Sequence, residues 1–175
     1  MIIPQLYLMM LALVPVVLLE GLIVSRSMSL KFTEAIKGMA FANVVSTVVG
    51  IPIAWALMLG LNFATTGTAD LGMRTPLTML AAVTLQAAWL VPHEAHLYWM
   101  IPAAATTLLI PSFVLSVLIE RFCLILRWKD IPHRVVSRSV IRANVYSYLV
   151  LFVLGGIWFT VEVASRPLGD RLPGK

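Results

Sequence analysis

Residues 38–61 read GMAFANVVSTVVGIPIAWALMLGL, a run that contains no charged side chain. As an α-helix this run would be ~36 Å long, enough to cross a hydrocarbon core of roughly 30 Å. Similar apolar runs cover about residues 6–24, 97–119 and 143–163. A fifth run, residues 77–91, would reach only ~22 Å as a helix. The pattern therefore predicts an all-α integral membrane protein with four transmembrane helices and one short hydrophobic helix.

The composition of the chain agrees with this class. Of the 175 residues, 60% are hydrophobic and 12% are charged, whereas roughly a quarter of an ordinary soluble domain is charged. We therefore expect one transmembrane domain over residues 1–175 and no separate soluble domain. Its parts are a first hairpin at about residues 5–61, an outer segment at 77–92, a second hairpin at 97–163 and a polar tail at 164–175.

The distribution of Lys and Arg predicts the topology, because cytoplasmic loops are enriched in both. With four spans, the joints at residues 25–37 and 120–142 share one side and carry 9 of the 13 basic residues. If residues 77–91 also spanned, the basic residues would divide almost evenly. We therefore expect both termini outside the cytoplasm, with residues 77–91 re-entrant or interfacial on the outer side. The predicted location is the bacterial cytoplasmic (inner) membrane.

The two hairpins contain a weak internal repeat. The first reads VPVVLLE up to Glu20 and then ANVVS at 42–46, while the second reads VLSVLIE up to Glu120 and then ANVYS at 143–147. The intervening stretches differ in length by a single residue. Two hairpins with the same topology are what a parallel repeat requires, so the repeat supports the four-span prediction.

Each hairpin carries one carboxyl and one amide within its apolar runs or directly beside them. Glu20 and Asn43 each lie six residues from the nearest basic residue of the joint between them, ~9 Å along a helix. Glu120 and Asn144 lie at a similar depth in the second hairpin. Intramembrane ionisable groups are costly and commonly face partners or a water-filled path. One interpretation is a pseudo-symmetric site for a proton, a cation or a lipid headgroup. The other, which we favour at this stage, is a structural pair in which each Asn hydrogen-bonds its Glu.

Small residues recur at four-residue spacing along the second predicted helix. They are Ala42, Ser46, Gly50 and Ala54. Small side chains let helices approach closely in lipid, where no hydrophobic effect drives them together. The pattern predicts a packing ridge, which serves either another helix of this chain or a different subunit.

Two further clusters are candidate binding sites. Arg134, Arg138 and Arg142 share one face of a possible helix, which suits contact with anionic lipid headgroups or serves only to set topology. On the outer side, His93, Glu94 and His96 include the residue types that bind metals. We expect these three to be ordinary polar loop residues, and the sequence identifies no cofactor.

Three functions are compatible with these features. The absence of GxSxG, HExxH, Walker and dinucleotide-binding motifs disfavours an enzyme. The first hypothesis is therefore a non-enzymatic accessory or assembly subunit of a larger membrane complex. The second is a small oligomeric transporter or channel that uses the Glu and Asn pairs, and the third is a metal-dependent membrane enzyme. The expected partners are membrane lipids and other membrane subunits or a second copy of the chain. Nucleic acid is not expected, because the basic residues cluster at the ends of apolar runs.

Overall fold

A computed structural model of the protein describes residues 2–66, 75–85 and 97–165, with side chains described from residue 12 onward except at Pro76. Within these ranges 92% of the residues are helical and there is no strand, which confirms the all-α prediction. The helices are α1 (Ile2–Met28), α2 (Phe32–Thr66), α3 (Pro76–Leu85), α4 (Leu97–Thr107), α5 (Leu109–Arg127) and α6 (His133–Ala164).

Three helical segments in the described ranges are long and apolar enough to cross a membrane: Phe32–Thr65, Leu97–Arg127 and His133–Ala164. Large apolar side chains lie exposed along them, for example Val48, Phe122 and Val153. Soluble proteins rarely expose contiguous apolar surface of this kind, so the finding fits a multi-pass membrane protein. The fourth predicted span falls on α1, and the four-span count stays a prediction.

The third predicted span is interrupted. α4 ends at Thr107 and α5 begins at Leu109, within the single span that the sequence predicts over residues 97–119, where prolines can kink a helix. Pro111 explains the interruption, because proline has no N–H to donate to the preceding turn and its ring crowds that turn. The neighbouring bonds survive, since Ser112 N donates to Leu108 O at 3.1 Å.

The joint between α1 and α2 is a tight turn. Ser29 adopts a left-handed conformation with φ of 54°, which ends α1 in the manner typical of helix C-termini. Leu30 N donates to Ser25 O at 3.1 Å, and Ser25 Oγ donates back to Leu30 O at 2.8 Å. These bonds satisfy main-chain groups at the end of α1. The chain can therefore reverse within the few residues between α1 and α2.

The chain divides into two compact units. Unit 1 comprises Met1–Ile51 and Phe113–Leu149, and unit 2 comprises Pro52–Ser112 and Val150–Lys175. The buried core of unit 1 mixes small residues with larger ones from α1, α2, α5, α6 and the joint that follows α5. Its members are Val17, Val24, Ala35, Met39, Ala42, Leu124, Trp128, Val136, Val140 and Ala143.

The core of unit 2 forms where α3 and α4 contact each other. Val83 packs there with Trp99, Met100 and Ala104, and Phe159 of α6 lies against them. α3 covers part of the predicted outer segment, and its 10 residues extend ~15 Å, too short to span. The rest of that segment, residues 86–92, lies outside the described residues, and its outer position stays a prediction.

Two adjacent glycines in α6 give a direct test of packing in unit 2. A β-carbon at Gly155 would lie 2.6 Å from Thr106 Oγ1, whereas one at Gly156 would have no neighbour within 4 Å. We expect Gly155→Ala to lower the free energy of unfolding by about 1–2 kcal/mol through overpacking. Gly156→Ala should raise it by about 0.5 kcal/mol, because alanine restricts the unfolded chain. Unfolding by SDS titration in mixed micelles compares the two, and equal effects would contradict the close contact.

Candidate functional site

Two glutamates lie at the centre of unit 1. Glu20 of α1 is 0% exposed and Glu120 of α5 is 1% exposed. All of their hydrogen-bond partners among the described residues are neutral side chains: Asn43, Ser46, Asn144 and Ser147. Carboxyl groups so far from water are normally paired with a cation or neutralised by a proton. Neutral side chains do not balance a negative charge, so the site suits a proton or a bound cation.

Each glutamate accepts a hydrogen bond from the asparagine of its own helix pair. Asn43 Nδ2 donates to Glu20 Oε2 at 2.6 Å, and Asn144 Nδ2 donates to Glu120 Oε2 at 2.7 Å. Each amide also donates to the carbonyl four residues earlier in its helix, at 3.1 and 3.2 Å. Each Glu therefore contacts the Asn that the sequence placed at a similar depth on the neighbouring helix.

Two serines cross-link the helix pairs. Ser46 Oγ of α2 lies 3.1 Å from Glu120 Oε1, and Ser147 Oγ of α6 lies 2.5 Å from Glu20 Oε1. Each carboxyl thus contacts the Asn of its own pair and the Ser of the other pair. The six side chains form one buried network with the same contact pattern in both halves, which we call the carboxyl ring: Glu20, Asn43, Ser46, Glu120, Asn144 and Ser147.

The number of hydrogens available for donation indicates which protonation state satisfies every contact in the carboxyl ring. Ser46 Oγ lies 3.0 Å from Asn43 O as well as next to Glu120, and Ser147 Oγ lies 3.1 Å from Asn144 O as well as next to Glu20. A hydroxyl has one hydrogen, which makes a full-strength hydrogen bond to only one acceptor. Both contacts of each serine are satisfied when the serine donates to the carbonyl and a protonated carboxyl donates to the serine. The geometry therefore accommodates one proton on each glutamate.

The ring also contains a spare acceptor. Asn144 is fully buried, and its Oδ1 has no hydrogen-bond partner among the described residues. Its Nδ2 donates to Glu120 and to Val140 O, so the amide nitrogen faces these two acceptors and the amide oxygen points away from them. An orphaned buried acceptor is costly. The ring therefore holds one buried acceptor that a further hydrogen donor could satisfy.

Three of the four ridge residues pack inside unit 1. Ala42 and Ser46 are buried, and a β-carbon at Gly50 would lie 3.8 Å from Ile119 Cδ1 and 4.0 Å from Leu115 Cβ. Ala54 is half-buried and belongs to unit 2. The small side chains thus let α2 approach α5 of the same chain. The close approach places Ser46 within reach of Glu120.

Ser147 is the ring member that the sequence analysis missed. It is the last residue of the repeated motif ANVYS, matching Ser46 in ANVVS. Both serines are buried and both bond a glutamate of the other pair. The serine that ends both motifs was the sequence feature that could have identified Ser147 as a ring member.

The basic cluster is the second candidate site. Arg134 and Arg138 belong to the first two turns of α6 and line an open cleft of about 340 Å³ together with Arg121, His133 and Ser137. Arg142 is not among the lining residues. The possible helix that carries these three arginines is the beginning of α6, which runs from His133 to Ala164.

The weak metal-ligand candidates His93, Glu94 and His96, which we expect to be ordinary loop residues, lie outside the described residues. In the part of the chain that the structure describes, no group of three or more His, Cys, Asp or Glu side chains could hold a metal ion.

The fold and the ring define a multi-pass helical membrane protein with a buried carboxyl pair. The chain matches no known protein family, no curated protein and no solved structure.

Proposed function

We propose that this protein is a small membrane transporter that conducts protons, in which Glu20 and Glu120 are the proton-binding groups. The observation that carries the proposal is the carboxyl ring, which joins two fully buried carboxyls through neutral partners only. Ionisable groups at membrane depth typically mark proton relays or substrate pathways. A purely structural link between helices needs no ionisable group, since Asn and Ser alone form such bonds.

The ring offers a simple way to take up and release protons. When a carboxyl is protonated, it donates to the serine, and the serine donates to the main-chain carbonyl of its own helix. When the proton leaves, rotation of the hydroxyl lets the serine donate to the carboxylate instead. The asparagine donates in both states. One hydroxyl rotation therefore keeps the carboxyl bonded through the protonation change.

The proposed topology has four spans, α1, α2, α4 with α5, and α6, with the two basic joints in the cytoplasm of a bacterial inner membrane. The pairs α1–α2 and α5–α6 form a parallel repeat in this proposal. Two correspondences support it: Asn43 and Asn144 each donate to the glutamate of their own pair, and Ser46 and Ser147 each bond the glutamate of the other pair. Repeats of this kind build transporters with sites at the repeat interface.

The test is proton movement into proteoliposomes that contain a pH-sensitive dye, driven by an imposed membrane potential. We expect flux above that of empty liposomes, and a loss to the empty-liposome level in the variant Glu20→Gln with Glu120→Gln. The matched control is Glu34→Gln, which removes an exposed carboxyl of α2 and should leave the flux unchanged. Wild-type flux equal to that of empty liposomes would refute the function. Flux that survives both glutamine substitutions would remove the carboxyls from the mechanism.

A second candidate is the accessory subunit, favoured by an exposed apolar stripe on α2. Phe41, Val44, Val48 and Ile51 are all exposed and follow the alternating three- and four-residue spacing of a helix–helix seam. Gentle extraction followed by native mass spectrometry tests this role. A stoichiometric partner that is lost in the variant Phe41→Ala with Val48→Ala would support the accessory role. Extraction of the chain alone or as a homo-oligomer would exclude that role.

A further inference from the structure

A basic cleft lies where the second half of α5 meets the start of α6. Its volume is about 340 Å³, and it is lined by Arg121 from α5 and by His133, Arg134, Ser137 and Arg138 from α6. None of the lining residues is acidic. The three guanidinium groups come from two helices that the core of unit 1 holds together, so the cleft is a feature of the tertiary structure.

The chemistry of the lining side chains suits a phosphate group. Arginine presents a planar fork of N–H donors that matches phosphate oxygens in pairs. Ser137 Oγ already donates its hydrogen to His133 O at 2.7 Å, so the arginines rather than this hydroxyl supply the donors for a phosphate. The positive end of the α6 dipole lies at the same place and adds to the attraction for an anion.

The surroundings of Arg121 favour a phosphate that belongs to a lipid. Arg121 lies six residues before the end of α5 at Arg127, which is ~9 Å inward along the helix. Leu118 and Phe122 flank it on α5 and are 55% and 66% exposed. A free phosphate ion gains nothing from contact with an apolar surface, whereas the acyl chain of a lipid packs against it.

We infer that this cleft binds the phosphate of one anionic phospholipid, in the leaflet that meets the basic joints. Arg121, Arg134 and Arg138 bind the phosphate oxygens, and the acyl chains lie along the exposed face of α5 beside Leu118 and Phe122. Arg142 has no part in this site. The inference is independent of the transport function, because none of the carboxyl-ring residues lines the cleft.

The test is native mass spectrometry of the full chain in detergent, titrated with dioleoylphosphatidylglycerol. We expect one retained lipid per chain, and binding at least about tenfold weaker for Arg121→Gln with Arg138→Gln, because hydrogen bonds between charged groups contribute on that scale. The control is Lys31→Gln with Arg142→Gln, which removes two exposed basic residues outside the cleft and should bind as the wild type does.

A second arm adds inorganic phosphate in excess. If phosphate leaves the lipid in place, the lipid is the source of the bound group. If phosphate displaces the lipid and itself binds in an Arg121-dependent manner, the site is one for free phosphate and the lipid assignment is wrong. No retained lipid, or an equal loss in the control variant, would overturn the inference altogether.

Discussion

Replacing Glu20 by alanine is expected to lower the free energy of unfolding by about 2–4 kcal/mol, whereas Glu20→Gln should change it by less than about 1 kcal/mol. Alanine removes the acceptor of Asn43 Nδ2 and the partner of Ser147 Oγ, and it leaves a cavity at a site with no access to water. Hydrogen bonds between membrane helices contribute only about 0.6 kcal/mol each on average. The larger part of the loss therefore comes from the cavity and from the stranded polar groups.

Glutamine has nearly the same shape and retains one acceptor and one donor at its end. If the carboxyl is protonated, the glutamine oxygen replaces the atom that accepts from Asn43 and its amide nitrogen replaces the one that donates to Ser147. SDS-induced unfolding in mixed micelles measures both variants, with Glu34→Ala as the exposed control. A large loss in Glu20→Gln would show that the carboxyl is ionised in the folded protein, and the proton count of the ring would then be wrong.

The second large effect is expected at Gly38. A β-carbon there would lie 2.5 Å from Trp128 Cζ2 and 2.8 Å from Cη2, closer than any ordinary carbon contact. Trp128 is buried in the core of unit 1 together with Met39 and Leu124, so the indole has little room to move. We expect Gly38→Ala to lower the free energy of unfolding by about 1–3 kcal/mol, the usual range for overpacking.

A second-site variant separates this clash from a loss of helix geometry. Trp128→Phe shortens the ring system that carries Cζ2 and Cη2, and it also removes Nε1, a buried donor without a partner in the described residues. We expect Trp128→Phe to restore most of the stability lost in Gly38→Ala. Gly50→Ala is the control, since its β-carbon would meet Ile119 at an ordinary 3.8 Å. If the two glycine variants lose equal stability, the contact with Trp128 is not the cause.

Most of the helices could be predicted from local sequence. The apolar runs and the basic joints place α2, the pair α4 and α5, and α6, because a helix in lipid satisfies its own main chain and needs no distant partner. The pairing of Glu20 with Asn43 also followed, since a short joint holds two helices at matched depth. The prolines also predicted an irregularity in the third span, but not a break at Leu108, because whether a proline bends or interrupts a helix depends on its neighbours.

The carboxyl ring depended on the tertiary structure. Ser46 and Glu120 are 74 residues apart, and Ser147 and Glu20 are 127 apart. The sequence showed that both halves carry the same polar residues, but it did not show that each serine bonds the glutamate of the other half. Such a bond depends on how one helix pair is rotated against the other, which is set by many small packing contacts. The same reason explains the basic cleft, where packing of α5 against α6 brings Arg121 to Arg138. Local sequence thus determined the helices and the depth of their polar groups, and packing between the helices decided which of those groups meet.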